Sequence, residues 1–142
     1  MEKLLFRSAA AWAIFGLLSG LYYREFTRLN AWDHPTFTQL STVHTHALAL
    51  GCLFFLVMLA LERTFAVSRH SAHARRAYLA WNVGLALTAG MQLLKGSLQV
   101  AGVPAYSHPA LAGLSGLGHI VMTVAFALYF HSPAKALQTT EK

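Results

Sequence analysis

Cysteine and charged residues are scarce in this chain. One residue of 142 is a cysteine, Cys52, and it lies within an apolar run, so a single chain can form neither a disulfide nor a cysteine-based metal site. Charged residues make up 11% of the sequence and hydrophobic residues 56%. A soluble globular domain has about a quarter of its residues charged. The composition therefore predicts an integral membrane protein that has the lipid bilayer as its surroundings.

The net charge is positive, +6 at pH 7, but its distribution argues against nucleic-acid binding. The basic residues cluster between apolar runs and form no stripe interleaved with aromatic side chains. We therefore interpret them as determinants of membrane topology.

Four apolar stretches are each long enough to cross a bilayer, which takes about 20 residues of helix. Prolines, histidines and charged residues separate them, as is typical of membrane surfaces. The sequence predicts one all-α domain over residues 1–142, an integral membrane four-helix bundle with helices at about 4–23, 40–61, 78–100 and 110–130.

The basic residues distinguish the two sides of the membrane. Eight of the eleven fall in the N-terminal segment, the loop between the second and third helices, and the C-terminal segment. The positive-inside rule therefore predicts that this loop and both termini are cytoplasmic. We expect a multi-pass protein of the inner, cytoplasmic membrane.

Polar side chains that are unusual in a membrane span gather toward the opposite, outer surface. They come from all four helices: Arg24, Glu25, His44, His46, Lys95 and His119. An ionisable group is costly in hydrocarbon unless it faces the protein interior, a cavity or a ligand. The clustering therefore predicts a binding site in the outer half of the bundle.

Histidine is a common iron ligand, and two histidines can hold a haem whose macrocycle is itself apolar. His44 and His46 project about 200° apart on a helix, so they are not expected to bind opposite faces of one haem. The histidines predict haem b, with His44, His46 and His119 as candidate ligands. No Cys-x-x-Cys-His motif is present, so the haem would be non-covalent.

The charged residues near the predicted haem site allow two interpretations. Lys95 and Arg24 are candidate partners of the haem propionates, because a carboxylate near the membrane surface needs cationic partners. Alternatively, Lys95 forms an internal ion pair with Glu25.

Several functions are compatible with these residues. Electron transfer with a redox partner, or redox sensing, is expected if both axial positions are filled, and gas binding if one is open. Enzymatic activity as a haem-dependent oxidoreductase is a further hypothesis. The alternative class is cofactor-free: a small transporter, or a helical partner subunit of a larger complex. A proton relay is less favoured because no carboxylate lies in the middle of a span.

Several short motifs spread over nearly the whole chain resemble a family of small four-helix bacterial membrane proteins of unknown function. The motifs are Tyr23-Arg24-Glu25-Phe26-Thr27, His44-Thr45-His46, Glu62-Arg63, Asn82-Val83-Gly84-Leu85, Lys95-Gly96 and Gly116-Leu117-Gly118-His119. The resemblance implies the four-helix fold and no activity.

A second resemblance covers only the start of the second helix. Val43-His44-Thr45 resembles the helix of haem-copper oxidase and nitric oxide reductase catalytic subunits whose histidine ligates the low-spin haem, and His44-Thr45-His46 resembles their His-x-His motif. It implies that the chain is similar to one four-helix arc of such a subunit. A homo-oligomer, such as a trimer, would then share each haem between His44 of one chain and His46 of the next. The simpler alternative places one haem between His44 and His119 of one chain.

Overall fold

The computed structural model of the chain describes residues 1–32 and 36–140, and within those ranges it contains only helices and the turns that join them. The long helices of these ranges are α1 (Glu2–Leu29), α2 (Gln39–Phe65), α3 (His73–Val100) and α4 (Pro109–Thr140). All four are long and apolar enough to cross a membrane. The predicted number and order of long apolar helices are confirmed, and the helices continue past the predicted apolar stretches into polar sequence.

Tight connections make consecutive helices antiparallel neighbours. Ala66 ends α2 in the left-handed conformation at φ 46°, and its N–H donates to the carbonyl of Glu62. The Glu62 carboxylate then accepts bonds from the backbone N–H and hydroxyl of Ser68 in the short helix Val67–His70. Gly102, at φ 70°, follows α3, and Pro109 opens α4.

The helices pack in a zigzag and leave the bundle open. α1 packs along α2 and α3 packs along α4, while α2 contacts α3 chiefly through residues 39–53. Among the described residues, α1 and α4 do not contact each other. Grooves therefore remain between α1 and α3 on one side and between α2 and α4 on the other.

Glycines allow the closest helix contacts. A Cβ added to Gly118 of α4 would lie 3.0 Å from the backbone nitrogen of Thr88 in α3, and one added to Gly96 of α3 would lie 2.6 Å from Cα of Leu40 in α2. These contacts hold the start of α2 and the first half of α4 against α3. Polar residues of the three helices are thereby brought to one place.

The winding of α2 changes just after its two histidines. A 3-10 turn (Gln39–Thr42) and one α-helical turn (Val43–His46) lead into a π-helical segment, Ala47–Leu53. The indole N–H of Trp81 donates to the carbonyl of Leu50 in that segment at 2.8 Å. A side chain inserted into the backbone ladder is a known cause of such irregularity, and π segments often mark functional sites.

The packing also identifies the two ends of the molecule. At one end, Glu2 pairs with Arg63 at 3.6 Å, and Ala136 packs against Val67 and Ala74. The start of α1, the arginine-rich turn and the end of α4 therefore lie together. The opposite end carries the end of α1, the start of α2 and the end of α3, and it contains the site.

Candidate functional site

A polar cavity of about 340 Å³ lies between α2, α3 and α4 near the end opposite the arginine-rich turn. Its polar lining comes from all three helices: Gln39, Thr42 and His46, then Thr88, Gln92 and Lys95, then Ser115 and His119. The structure therefore brings three of the predicted site residues, His46, Lys95 and His119, to the wall of one cavity.

The hydrogen bonds of His46 define which nitrogen carries its proton. Nδ1 lies 3.0 Å from the carbonyl oxygen of Thr42, and a carbonyl can only accept, so Nδ1 is the donor. Nε2 of the neutral ring is then an acceptor, and it receives the amide N–H of Gln92 at 3.2 Å. The ring is oriented by two elements, its own helix and α3.

His119 bonds only its own helix, α4, and its side chain is exposed at the edge of the cavity. Its Nδ1 donates to the carbonyl of Ser115 at 3.0 Å, one helical turn earlier. No described residue bonds to Nε2. A histidine that donates one nitrogen to a backbone carbonyl and presents the other to a cavity has the arrangement typical of a metal ligand.

His119 also lines an adjoining apolar cavity of about 430 Å³. Trp81, Met122, Phe126 and Phe130 form the walls of this second cavity. His119 is therefore at the junction of a polar compartment and an aromatic one. An organic ligand with an apolar body and a polar edge matches that division, and cavities of roughly 300–1,000 Å³ are usual for such ligands.

Several polar atoms at the polar cavity lack partners. The hydroxyl of Ser115 and Oε1 of Gln92 are buried without a hydrogen bond. The ammonium group of half-buried Lys95 has no hydrogen bond or ion pair with any described residue. Buried polar groups are normally satisfied, so these atoms mark a place where a polar ligand would be stabilised.

The remaining predicted residues lie elsewhere. His44 faces α1, where a Cβ added to Gly20 would be 3.7 Å from its own Cβ, and its Nδ1 is buried without a partner. His44 does not line the polar cavity, which agrees with the predicted divergence from His46. The single-chain pairing of His44 with His119 is therefore not the arrangement that this cavity presents.

Arg24 and Glu25 form a surface cluster at the end of α1. Glu25 accepts from Arg28 at 2.6 Å and lies 3.7 Å from Arg24, whose side chain is 78% exposed. Neither residue lines the polar cavity. The alternative ion pair between Lys95 and Glu25 is absent, because the carboxylate is engaged by its own helix.

Sequence reasoning places Thr42, Gln92 and Ser115 among the polar residues of this half of the bundle without assigning them to the site, and it misses Thr88. Gln92 and Thr88 precede Lys95 by one and two turns of α3, and Ser115 precedes His119 by one turn, so helical spacing around the predicted residues is the signal that could have found them. The aromatic wall carries no such signal, because aromatic residues at helical spacing are common in any apolar core.

The cavity offers two imidazoles and no complete ligand set for a bare metal ion. In the described ranges, no three His, Cys, Asp or Glu side chains lie close enough to hold an ion together. One imidazole suffices when a macrocycle supplies the other ligands, as in haem, and Nε2 of His119 is bonded by no described residue. The residues present therefore fit haem better than an isolated ion.

Comparison with known proteins defines the family. No curated protein and no solved structure matches the chain. A family model described as "Protein of unknown function (DUF2871)" matches residues 1–136. The chain therefore belongs to the DUF2871 family of proteins of unknown function.

Proposed function

We propose that this chain spans the cytoplasmic membrane four times and binds haem b in the groove between α2 and α4. The observation that carries the proposal is the position of His119, which lines both the polar and the aromatic cavity and whose Nε2 has no partner among the described residues. Haem has the same division, with an apolar macrocycle and two propionates at one edge.

The charge distribution supports the orientation. The arginine-rich turn, the start of α1 and the end of α4 pack together, so most basic residues lie at one end of the bundle. That end is cytoplasmic by the positive-inside rule. The haem site then lies in the outer half of the membrane.

Each residue of the site has a proposed role. His119 would hold the haem iron, and His46 on the wall of the polar cavity is the second candidate. The aromatic wall around Phe126 would pack against one edge of the macrocycle, and Lys95 would neutralise a propionate through a charge-assisted hydrogen bond. When bound, haem supplies a one-electron redox centre, so the proposed activity is electron transfer with a redox partner, or redox or gas sensing.

The test is an absorption spectrum of the full chain purified in detergent from haem-sufficient cells. We expect a Soret band that is lost in His119→Ala and retained in His44→Ala. His44 is the control because it is also a histidine of a long apolar helix, but it faces α1 and does not line the polar cavity. A folded, colourless wild-type protein would refute the proposal, as would a His119→Ala variant with full haem content.

A further inference from the structure

Of the two imidazoles in the polar cavity, that of His46 has both ring nitrogens engaged in hydrogen bonds. An iron ligand needs the lone pair of a ring nitrogen, and the free lone pair of His46, on Nε2, accepts the amide N–H of Gln92 at 3.2 Å. His119 has no such partner on its Nε2. The two histidines therefore differ in availability, although they line the same cavity.

Gln92, which donates to His46 through its amide nitrogen, has no hydrogen bond at its amide oxygen. Its Oε1 is buried without a donor, and the Ser115 hydroxyl on the same cavity wall also lacks a partner. Lys95, also on that wall, is a second unused donor. Gln92 therefore shares its cavity with two donors that are not in use, and a Gln92 side chain that bonded one of them in place of His46 would exchange one hydrogen bond for another.

We propose that Gln92 is a switch that sets the number of protein ligands at this site. With Gln92 on His46, His119 alone holds the haem, and the sixth position is open to a small diatomic ligand such as carbon monoxide. With Gln92 turned away, His46 takes that position. The inference rests on the haem proposal above and adds a ligand class and a means of regulating access to it.

The experiment compares the haem-loaded full-length protein with two variants, using carbon monoxide as the probe. Gln92→Leu removes the bond to His46, and we expect the ratio of six- to five-coordinate haem to rise about two- to tenfold, the range for loss of one hydrogen bond. Carbon monoxide affinity should fall by a similar factor because His46 competes for the same position. Spin state is read from absorption and electron paramagnetic resonance spectra.

Gln99→Leu is the matched control. Gln99 lies on the same helix but bonds the backbone of Gln39 and Phe37, and it does not line the polar cavity. We expect this variant to keep the wild-type spin state. Should Gln92→Leu fail to fold, Gln92→Asn shortens the amide and tests the same bond.

The double variant Gln92→Leu/His46→Leu should return to five-coordinate haem. A wild-type haem already ligated by His46, or a Gln92→Leu protein with unchanged spin state and carbon monoxide affinity, would overturn the switch. Each of these two outcomes still includes a Soret band, so the haem proposal would stand without the switch. A wild-type protein without a Soret band would refute the haem proposal and the switch together.

Discussion

Lys95 is a basic residue in a helix that is long and apolar enough to span a membrane, and it has no protein partner among the described residues. Such a charge is costly in hydrocarbon, and an anionic ligand in the adjoining cavity would relieve that cost. We predict that Lys95→Met weakens haem binding about ten- to hundredfold, because a hydrogen bond to a charged group contributes about 1.5–3 kcal/mol. The measurement is a titration of the apoprotein with haem, followed at the Soret band.

Lys95→Arg is the control for this prediction, since it keeps the charge and should keep most of the affinity. Equal dissociation constants for the wild type and Lys95→Met would assign Lys95 a structural role instead.

Residue positions were predictable where one helix determines them. The divergence of His44 and His46 follows from helical periodicity alone. The choice of His46 as the neighbour of His119 depends on how α2 is rotated against α3 and α4. That rotation is fixed by a contact between helices, Gly96 against Leu40, which no single stretch of sequence reveals.

At the scale of helices, Gly96 and Gly90 form a natural pair for testing how α2 is seated on α3. A methyl group at Gly96 would meet the backbone of Leu40, whereas one at Gly90 would meet nothing within 4 Å. We predict that Gly96→Ala destabilises the protein by about 1–3 kcal/mol through overpacking. Gly90→Ala should be neutral or stabilising by up to about 1 kcal/mol, because alanine favours helix.

Thermal unfolding in detergent measures both glycine variants under one condition. Shifts of opposite sign, or a loss confined to Gly96→Ala, are the expected result. A similar shift in both variants would mean that the Gly96 contact does not determine the packing of α2.

The π-helical segment of α2 could not be predicted from sequence. Hydropathy and spacing over residues 47–53 indicate an apolar helix, and both hold whether the winding is α or π. The irregularity coincides with the indole of Trp81, which reaches Leu50 from a different helix. Local patterns thus predict that a helix exists, while its winding depends on a neighbour 31 residues away in sequence.

For the whole molecule, apolar length predicted the four spans, but not how they pack. The order of packing depends on small residues at facing positions, such as Gly84 with Gly118, and these become meaningful only once the helices are paired. The open groove between α2 and α4 is a consequence, because α4 packs along α3 and leaves α1 untouched in the described chain. Both histidines of the polar cavity come from one chain, so the proposed site does not require a second copy.

Orientation in the membrane is a property of the whole chain, and it can be tested with the single native cysteine removed. In a Cys52→Ala background, Ala105→Cys places a thiol in the exposed turn before α4, and Ala72→Cys places one in the exposed turn before α3. The positive-inside rule predicts that a membrane-impermeant maleimide labels Ala105→Cys in intact spheroplasts and labels Ala72→Cys only after permeabilisation. The opposite pattern would put the arginine-rich turn outside and the histidines in the cytoplasmic half, where a haem would face cytoplasmic partners instead of those on the outer side.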